Sequence, residues 1–243
     1  PNALTDEWAL TQTDIDRATW SWSKAKSNVA EIWEVQKTQK GQYTSFYCGC
    51  PVQRTTRTGG ETDLAACNYE DEGNKNRARR LEWEHIVPAS YFGQNRQCWV
   101  MGAPQCVSNG TPYNGRKCCE IADPVYNMMA TDPVNLVPSV GEVNGDRSNY
   151  AFGILASPEK QYGQCDISID TKQKIAQPPL EKRGDIARIY AYMSRAYGMT
   201  LTKEKAELYA KWIKDDPVSQ EEIRINQAIQ AAGHRPNPFV LSP

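Results

Sequence analysis

Eight cysteines constrain the folding of this 243-residue chain more than any other feature: Cys48, Cys50, Cys67, Cys98, Cys106, Cys118, Cys119 and Cys165. An even count reads as a disulfide framework built in an oxidising compartment, especially with spacings as close as Cys48-Gly49-Cys50 and Cys118-Cys119. A structural metal site would need Cys-x-x-Cys pairs or Cys/His clusters, and neither occurs. Eight cysteines allow more than a hundred pairings, so spacing alone leaves the connectivity open. The first residues, Pro1-Asn2-Ala3-Leu4, carry no basic-then-apolar leader, which fits the mature form of an exported protein.

No stretch approaches the roughly 18 consecutive apolar residues of a membrane span, so no membrane partner is expected. The length suits one large domain with ample core. The formal net charge of -1 does not by itself point to a polyanionic partner. The basic residues are unevenly placed, however. Arg54 and Arg57 share a loop, Lys75, Arg77, Arg79 and Arg80 run into residue 84, and Arg116-Lys117 follow. Such a rim would attract phosphates, although solvated surface charges are the plainer account.

Periodicity gives an α+β reading. Residues 1 to 20 are polar and look like an arm or added cap. Trp22, Ala25, Val29, Ile32 and Trp33 form a helical stripe. Residues 42 to 80 read as loop-rich, with a turn at Thr58-Gly59-Gly60, and Leu81 to Val87 as a strand closed by Pro88. Residues 98 to 120 read as a stapled loop with little regular structure. Asn135-Leu136-Val137 is a short strand, and a helix is expected to start near Pro138. The last third is helix-rich. One stripe runs from Ile186 to Tyr197 before Gly198, a second through Tyr209 and Trp212, and Ser219 with Glu222 caps a third. These stripes are core-packing faces without a catalytic role.

The segment Glu82-Trp83-Glu84-His85-Ile86-Val87-Pro88-Ala89 holds one of only two histidines. Histidine exchanges protons near neutrality, so His85 is the candidate general base, and activity is expected to rise as it deprotonates near pH 6.5. His234, near the C-terminus, is assigned a structural role. A second unusual segment is Gly141-Glu142-Val143-Asn144-Gly145-Asp146-Arg147-Ser148. A helix made of such poor formers makes sense if Asn144 presents an amide oxygen to a hard cation. Mg²⁺ favours oxygen donors and keeps several waters, so Glu84 and Asn144 would suffice.

Residues 82 to 89, then Phe92-Gly93, Arg96-Gln97-Cys98-Trp99 and Val140 to Asn149, resemble the signatures of the bacterial endonuclease I family. Phe46-Tyr47-Cys48-Gly49-Cys50, Arg183 to Arg188 and Asn237-Pro238-Phe239-Val240 extend the similarity over about residues 21 to 240. The resemblance implies a single-domain, disulfide-stapled α+β fold with a ββα-metal (His-Me finger) core. On that reading residues 21–243 form the catalytic domain behind an N-terminal arm of residues 1–20. It implies a periplasmic or secreted, divalent-metal-dependent nuclease of low sequence specificity, acting on DNA and RNA and leaving 5′-phosphate ends. By position, His85 matches the water-activating base, and Glu84 and Asn144 match the ligands of Mg²⁺, with Mn²⁺ or Ca²⁺ as alternatives. Arg116, in Gly115-Arg116-Lys117-Cys118-Cys119, matches the phosphate-stabilising arginine. Arg80 and Arg147 are further candidates for substrate contact or bracing, Glu82 for either, and Glu142 for support behind the site. A monomer is expected.

Two departures stand out. A cysteine-bearing loop at about 100–118 is longer than the family's, and the pair of cysteines that closes the family's tail is absent. Together with the resemblance, these imply Cys48–Cys165, Cys50–Cys67, Cys98–Cys119 and Cys106–Cys118, the last two exchangeable because Cys118 and Cys119 are adjacent. A catalytically inactive, disulfide-rich nucleic-acid-binding protein is the alternative. A zinc hydrolase lacks a second nearby histidine.

Overall fold

A computed structural model describes residues 7–37 and 41–240. Regular structure starts before residue 21. Thr11 and Asp14 form a capping box on α1 (Gln12–Asp16), satisfying two backbone donors reciprocally. Asp14 and Arg17 are buried, and Arg17 donates to Asp132 and Tyr197 on the main body. Ser21 caps α2 (Trp22–Trp33), whose Ala25, Val29, Ile32 and Trp33 enter the core while Trp22 stays half-buried.

The loop-rich segment that follows is drawn into an antiparallel sheet of β1 (Tyr43–Thr44), β2 (Pro51–Arg54) and β3 (Gly60–Thr62). Helix α3 (Lys75–Ala78) leads into β4 (Leu81–His85), and α4 (Ala89–Gly93) and α5 (Gln97–Val100) come after it. Residues 98 to 120 are more ordered than their composition suggests. They contain a hairpin of β5 (Val107–Ser108) and β6 (Thr111–Pro112) and then α6 (Arg116–Ala122). Asn109 and Gly110 both take positive φ, which a tight two-residue hairpin turn requires. Adjacent Cys118 and Cys119 on α6 bond to Cys106 beside the hairpin and to Cys98 on α5. These covalent ties hold elements too short to be stable by apolar packing.

Asp123 caps α7 (Pro124–Ala130), with Pro124 in its first turn. Next comes β7 (Leu136–Val140), all five residues of which are buried. Pro138 therefore lies in a strand, not at a helix start. It sits opposite Trp83 in a two-stranded pair, where its missing N–H is tolerated, and its carbonyl accepts from Phe46 N. Helix α8 (Gly141–Arg147) begins directly afterwards. A second sheet combines β8 (Ala151–Phe152), β9 (Ser168–Asp170) and β10 (Ile175–Gln177). The last third is α9 (Arg183–Tyr197), α10 (Lys203–Asp215) and α11 (Gln220–Ala231); Gly198 caps α9 at φ 67° and Ser219 and Glu222 box α11.

The result is an α+β fold whose helices and sheets share one buried apolar cluster, from Val29 through β7 to Ile229. All eight cysteines are bonded, as Cys48–Cys165, Cys50–Cys67, Cys98–Cys119 and Cys106–Cys118. At its centre β4 and β7 run antiparallel, with Glu84 opposite Val137 and His85 opposite Leu136.

Candidate active site

Side chains alternate along a strand, so Glu82 and Glu84 leave β4 on one face and Trp83 and His85 on the other. The strand lies beside a cleft of about 720 Å³ whose walls include Glu84, His85, Asn144, Arg116, Trp22 and Lys117. Four residues singled out in the sequence thus meet in one cavity, drawn from β4, α6 and α8. Thr58 and Gly59 form part of its rim, held there by the Trp83 indole N–H donating to Thr58 O at 3.0 Å.

Glu84 is almost fully buried. Its Oε1 accepts from Arg147 Nη1 at 2.7 Å and from the Tyr47 hydroxyl at 3.1 Å. Both bonds fall on one oxygen, and no hydrogen bond to Oε2 occurs among the described residues. Burial pushes the Glu84 carboxyl above the usual range, against the pull of Arg147 and Tyr47. On α8, Asn144 Nδ2 donates to Glu82 Oε2 at 2.7 Å, which turns the amide oxygen away from that carboxylate. Glu82 is in turn gripped by Arg77 through Nε at 3.0 Å and Nη2 at 2.9 Å. Glu82 is therefore a brace.

The two glycines of α8 follow from this packing. A Cβ on Gly145 would overlap the Arg77 guanidinium, and one on Gly141 the Arg77 carbonyl. Glu142 points away from the cleft, accepting from the Tyr69 hydroxyl and from the backbone of Glu72 and Asn74.

His85 is 7 % exposed. Its Nε2 lies 2.7 Å from the Ala130 carbonyl oxygen. A carbonyl only accepts, so Nε2 carries the ring proton and Nδ1 is the unprotonated nitrogen of a neutral imidazole. Burial, reinforced by the Arg116 charge, pushes the imidazole down to about 3, despite the opposing bond to Ala130. The expected titration near 6.5 is thus displaced downward, because burial strips the charged ring of most of its water. The Trp22 ring stacks on the imidazole, centroids 5.2 Å apart and planes at 17°.

Arg116 is 41 % exposed in the first turn of α6, with Nε donating to Glu120 Oε1 at 3.0 Å and the guanidinium 5.3 Å from the Trp22 ring. Arg147 does not reach the cleft. It is fully buried, spends Nη1 on Glu84 and the His85 carbonyl, Nη2 on the Ile86 carbonyl and Nε on the Tyr150 carbonyl. Its assignment as a substrate contact is corrected to that of a brace: four of its five N–H groups are spent on buried acceptors, and the side chain is fully buried. Arg80 is exposed and does not line the cleft; its carbonyl accepts from Gly141 N at the start of α8. His234 is buried against Asp14 and Asn28, far from this chemistry in the hydrogen-bond network.

Sequence reasoning missed Trp22, taken for a core residue because it falls on the helical stripe, and Arg77, taken for rim charge. It also missed the Ala130 carbonyl, which no side chain signals.

Among known proteins, the Endonuclease I family profile matches residues 21–243. The chain is 41 % identical over 193 residues to an Endonuclease-1 of Buchnera aphidicola subsp. Acyrthosiphon pisum (strain APS), covering 79 % of this chain and 72 % of that protein. It is 40 % identical over 197 residues to an extracellular deoxyribonuclease of Aeromonas hydrophila, covering 81 % of each. A periplasmic deoxyribonuclease of Aeromonas hydrophila is 36 % identical over 208 residues, covering 85 % of this chain and 82 % of that protein. With the profile spanning nearly all of the sequence and these identities sustained over most of it, the chain belongs to the endonuclease I family.

Proposed function

We propose that this protein is a divalent-metal-dependent endonuclease that hydrolyses phosphodiester bonds of DNA, and of RNA as well, with little sequence specificity. The observation that carries the reading is the bond from His85 Nε2 to the Ala130 carbonyl, which leaves Nδ1 as the basic nitrogen beside a cleft shared with Glu84, Asn144 and Arg116. Relatives named as extracellular or periplasmic deoxyribonucleases support it. The protein is periplasmic or secreted, in keeping with its four disulfides.

The donor set fits Mg²⁺. Glu84 would hold it through Oε2 and Asn144 through its amide oxygen, both hard oxygens, with waters completing the shell; Mn²⁺ or Ca²⁺ would take the same donors. Bound there, the cation supplies neutralising charge for the phosphate and the leaving 3′ oxygen. His85 Nδ1 takes a proton from the attacking water, a contribution of roughly 10²–10⁴-fold. The water oxygen bonds to phosphorus as the P–O3′ bond breaks, leaving a 5′-phosphate and a 3′ oxygen that takes a proton from solvent. Arg116 can grip the non-bridging oxygens with two parallel bonds. Contacts confined to the backbone carry no sequence information. The order β4, β7, α8, with the base and one ligand on the first strand and the second ligand on the helix, supports a ββα-metal core. All four groups come from one chain, so a monomer would suffice for the reaction.

The presence of base, ligands and arginine in one cleft speaks against an inactive nucleic-acid-binding protein. A plasmid-nicking assay decides between them. Supercoiled DNA is expected to be cut with Mg²⁺, spared with EDTA, and spared by His85→Ala. Intact plasmid with wild type and Mg²⁺ across pH 6 to 9 would favour the inactive binder.

A further inference from the structure

Trp22 sits in the first turn of α2, capped by Ser21, and is only half-buried although it belongs to an otherwise buried stripe. Its ring meets two members of the site at once. It stacks on the His85 imidazole at 5.2 Å and 17°, and the Arg116 guanidinium lies 5.3 Å from the same ring. Each of those partners needs holding. Among the described residues the His85 ring makes one hydrogen bond, at Nε2, about which its plane can turn, and Phe92 meets it only at a steep 61° with centroids 6.4 Å apart. Arg116 is partly exposed on a helix of seven residues, where its bond to Glu120 is a surface contact of little strength. A flat indole in an offset, near-parallel stack restricts the tilt of the imidazole, and its electron-rich surface attracts the guanidinium.

We propose that Trp22 is a positioning residue for the hydrolytic reaction, fixing the plane of the His85 ring and the approach of the Arg116 guanidinium from one side chain. The inference rests on the nuclease reading of the site. It makes α2, which contributes no reacting group, part of the machinery. A misplacement of about 1 Å in a reacting group can cost on the order of 100-fold in rate. An aromatic ring at position 22 is therefore worth more to turnover than to substrate binding, because the geometry it sets matters most as the proton moves.

The test compares Trp22→Leu, which keeps apolar bulk without a flat face, with Trp22→Phe. Steady-state cleavage of plasmid with Mg²⁺ gives kcat and KM. Nitrogen-correlated NMR of the imidazoles, readable because there are only two histidines, reports ring packing without any metal or substrate. Trp22→Leu is expected to lower kcat about tenfold or more, with KM changing less than about threefold. The His85 ring protons should lose the upfield ring-current shift from the indole while those of His234 stay in place, and Trp22→Phe should recover most of both. Unchanged kcat in a Trp22→Leu protein with all four disulfides formed would overturn the proposal. So would unmoved His85 resonances, or Trp22→Phe as slow as Trp22→Leu. Wild type inert towards nucleic acid would instead overturn the nuclease reading, while the NMR comparison would still decide whether Trp22 holds the His85 ring.

Discussion

At the scale of single residues, the site divides its labour by burial and by which atoms are already bonded. Glu82 accepts from Asn144 Nδ2 and is itself clamped by Arg77, so it orients the proposed ligand. Partners of this kind typically change metal affinity by about 10–100-fold. Glu82→Ala is accordingly expected to raise the Mg²⁺ concentration for half-maximal cleavage by roughly that factor, with rate at saturating Mg²⁺ much less affected. An unchanged Mg²⁺ requirement would deny Glu82 this role. The pH dependence follows from His85. Its folded value of about 3 lies below the ordinary one, so the ring is already neutral above about pH 5. Cleavage at saturating Mg²⁺ should show no rise centred near 6.5; a rise there would mean that the ring titrates in water. By the same linkage the unfolded chain takes this proton near 6.5 and the folded chain only near 3. The associated stability is therefore complete above about 6.5 and is lost as the pH falls towards and through 3. His85, Glu84, Asn144 and Arg116 stand out in the sequence because motifs surround them, and the fold brings all four to one cleft. For Arg147 the sequence left substrate contact and bracing both open, because an arginine's burial depends on carbonyls of residues 85, 86 and 150 that only the fold brings to it.

At the scale of elements, the long helices were legible and the short ones were not. Helices α2, α9, α10 and α11 carry apolar stripes or caps that local sequence displays. Helices α5 and α6 span four and seven residues, too few for a stripe, and are held by Cys98–Cys119 and Cys106–Cys118. Pro138 misled because proline suits both a first helical turn and a strand with one partner; the choice was made by pairing with Trp83, a long-range contact. The cysteine-tied module matters to chemistry because Arg116 opens α6, two residues before Cys118. Replacing Cys106 and Cys118 together by serine should leave the remaining core folded yet loosen Arg116. We expect kcat/KM on plasmid DNA to fall by about tenfold or more, with a smaller further loss when Arg116→Ala is added than in the intact background. Full activity in the double serine variant would show that the hairpin staple is irrelevant to the arginine.

At the scale of the whole molecule, residues 8–17 and the segment at His234-Arg235 are fastened to each other and to the site's support. Asp14 accepts from Arg235 N and pairs with Arg17, which also contacts Asp132, while Arg235 donates to the Trp8 carbonyl. Burial raises the Asp14 carboxyl, but the His234 bond and the Arg17 charge outweigh it and hold the group well below the usual carboxylate range. The tail that lacks a disulfide is thus held by buried polar contacts from residues preceding the family match. This network was not legible, since Asp14 and Arg235 are 221 positions apart. Asn127 ties the same N-terminal segment to α7, donating to the carbonyls of Arg17, Ala18 and Trp20, and α7 ends at Ala130, the acceptor for His85. In the proposed site cation and base are separate, with Glu84 and Asn144 holding the metal and His85 left free of it. Calorimetric titration of Mn²⁺ into wild type, His85→Ala and Glu84→Ala separates the two roles. His85→Ala should bind as wild type does while failing to cleave, and Glu84→Ala should lose binding. Loss of binding in a folded His85→Ala protein, or binding retained by Glu84→Ala, would contradict the assignment.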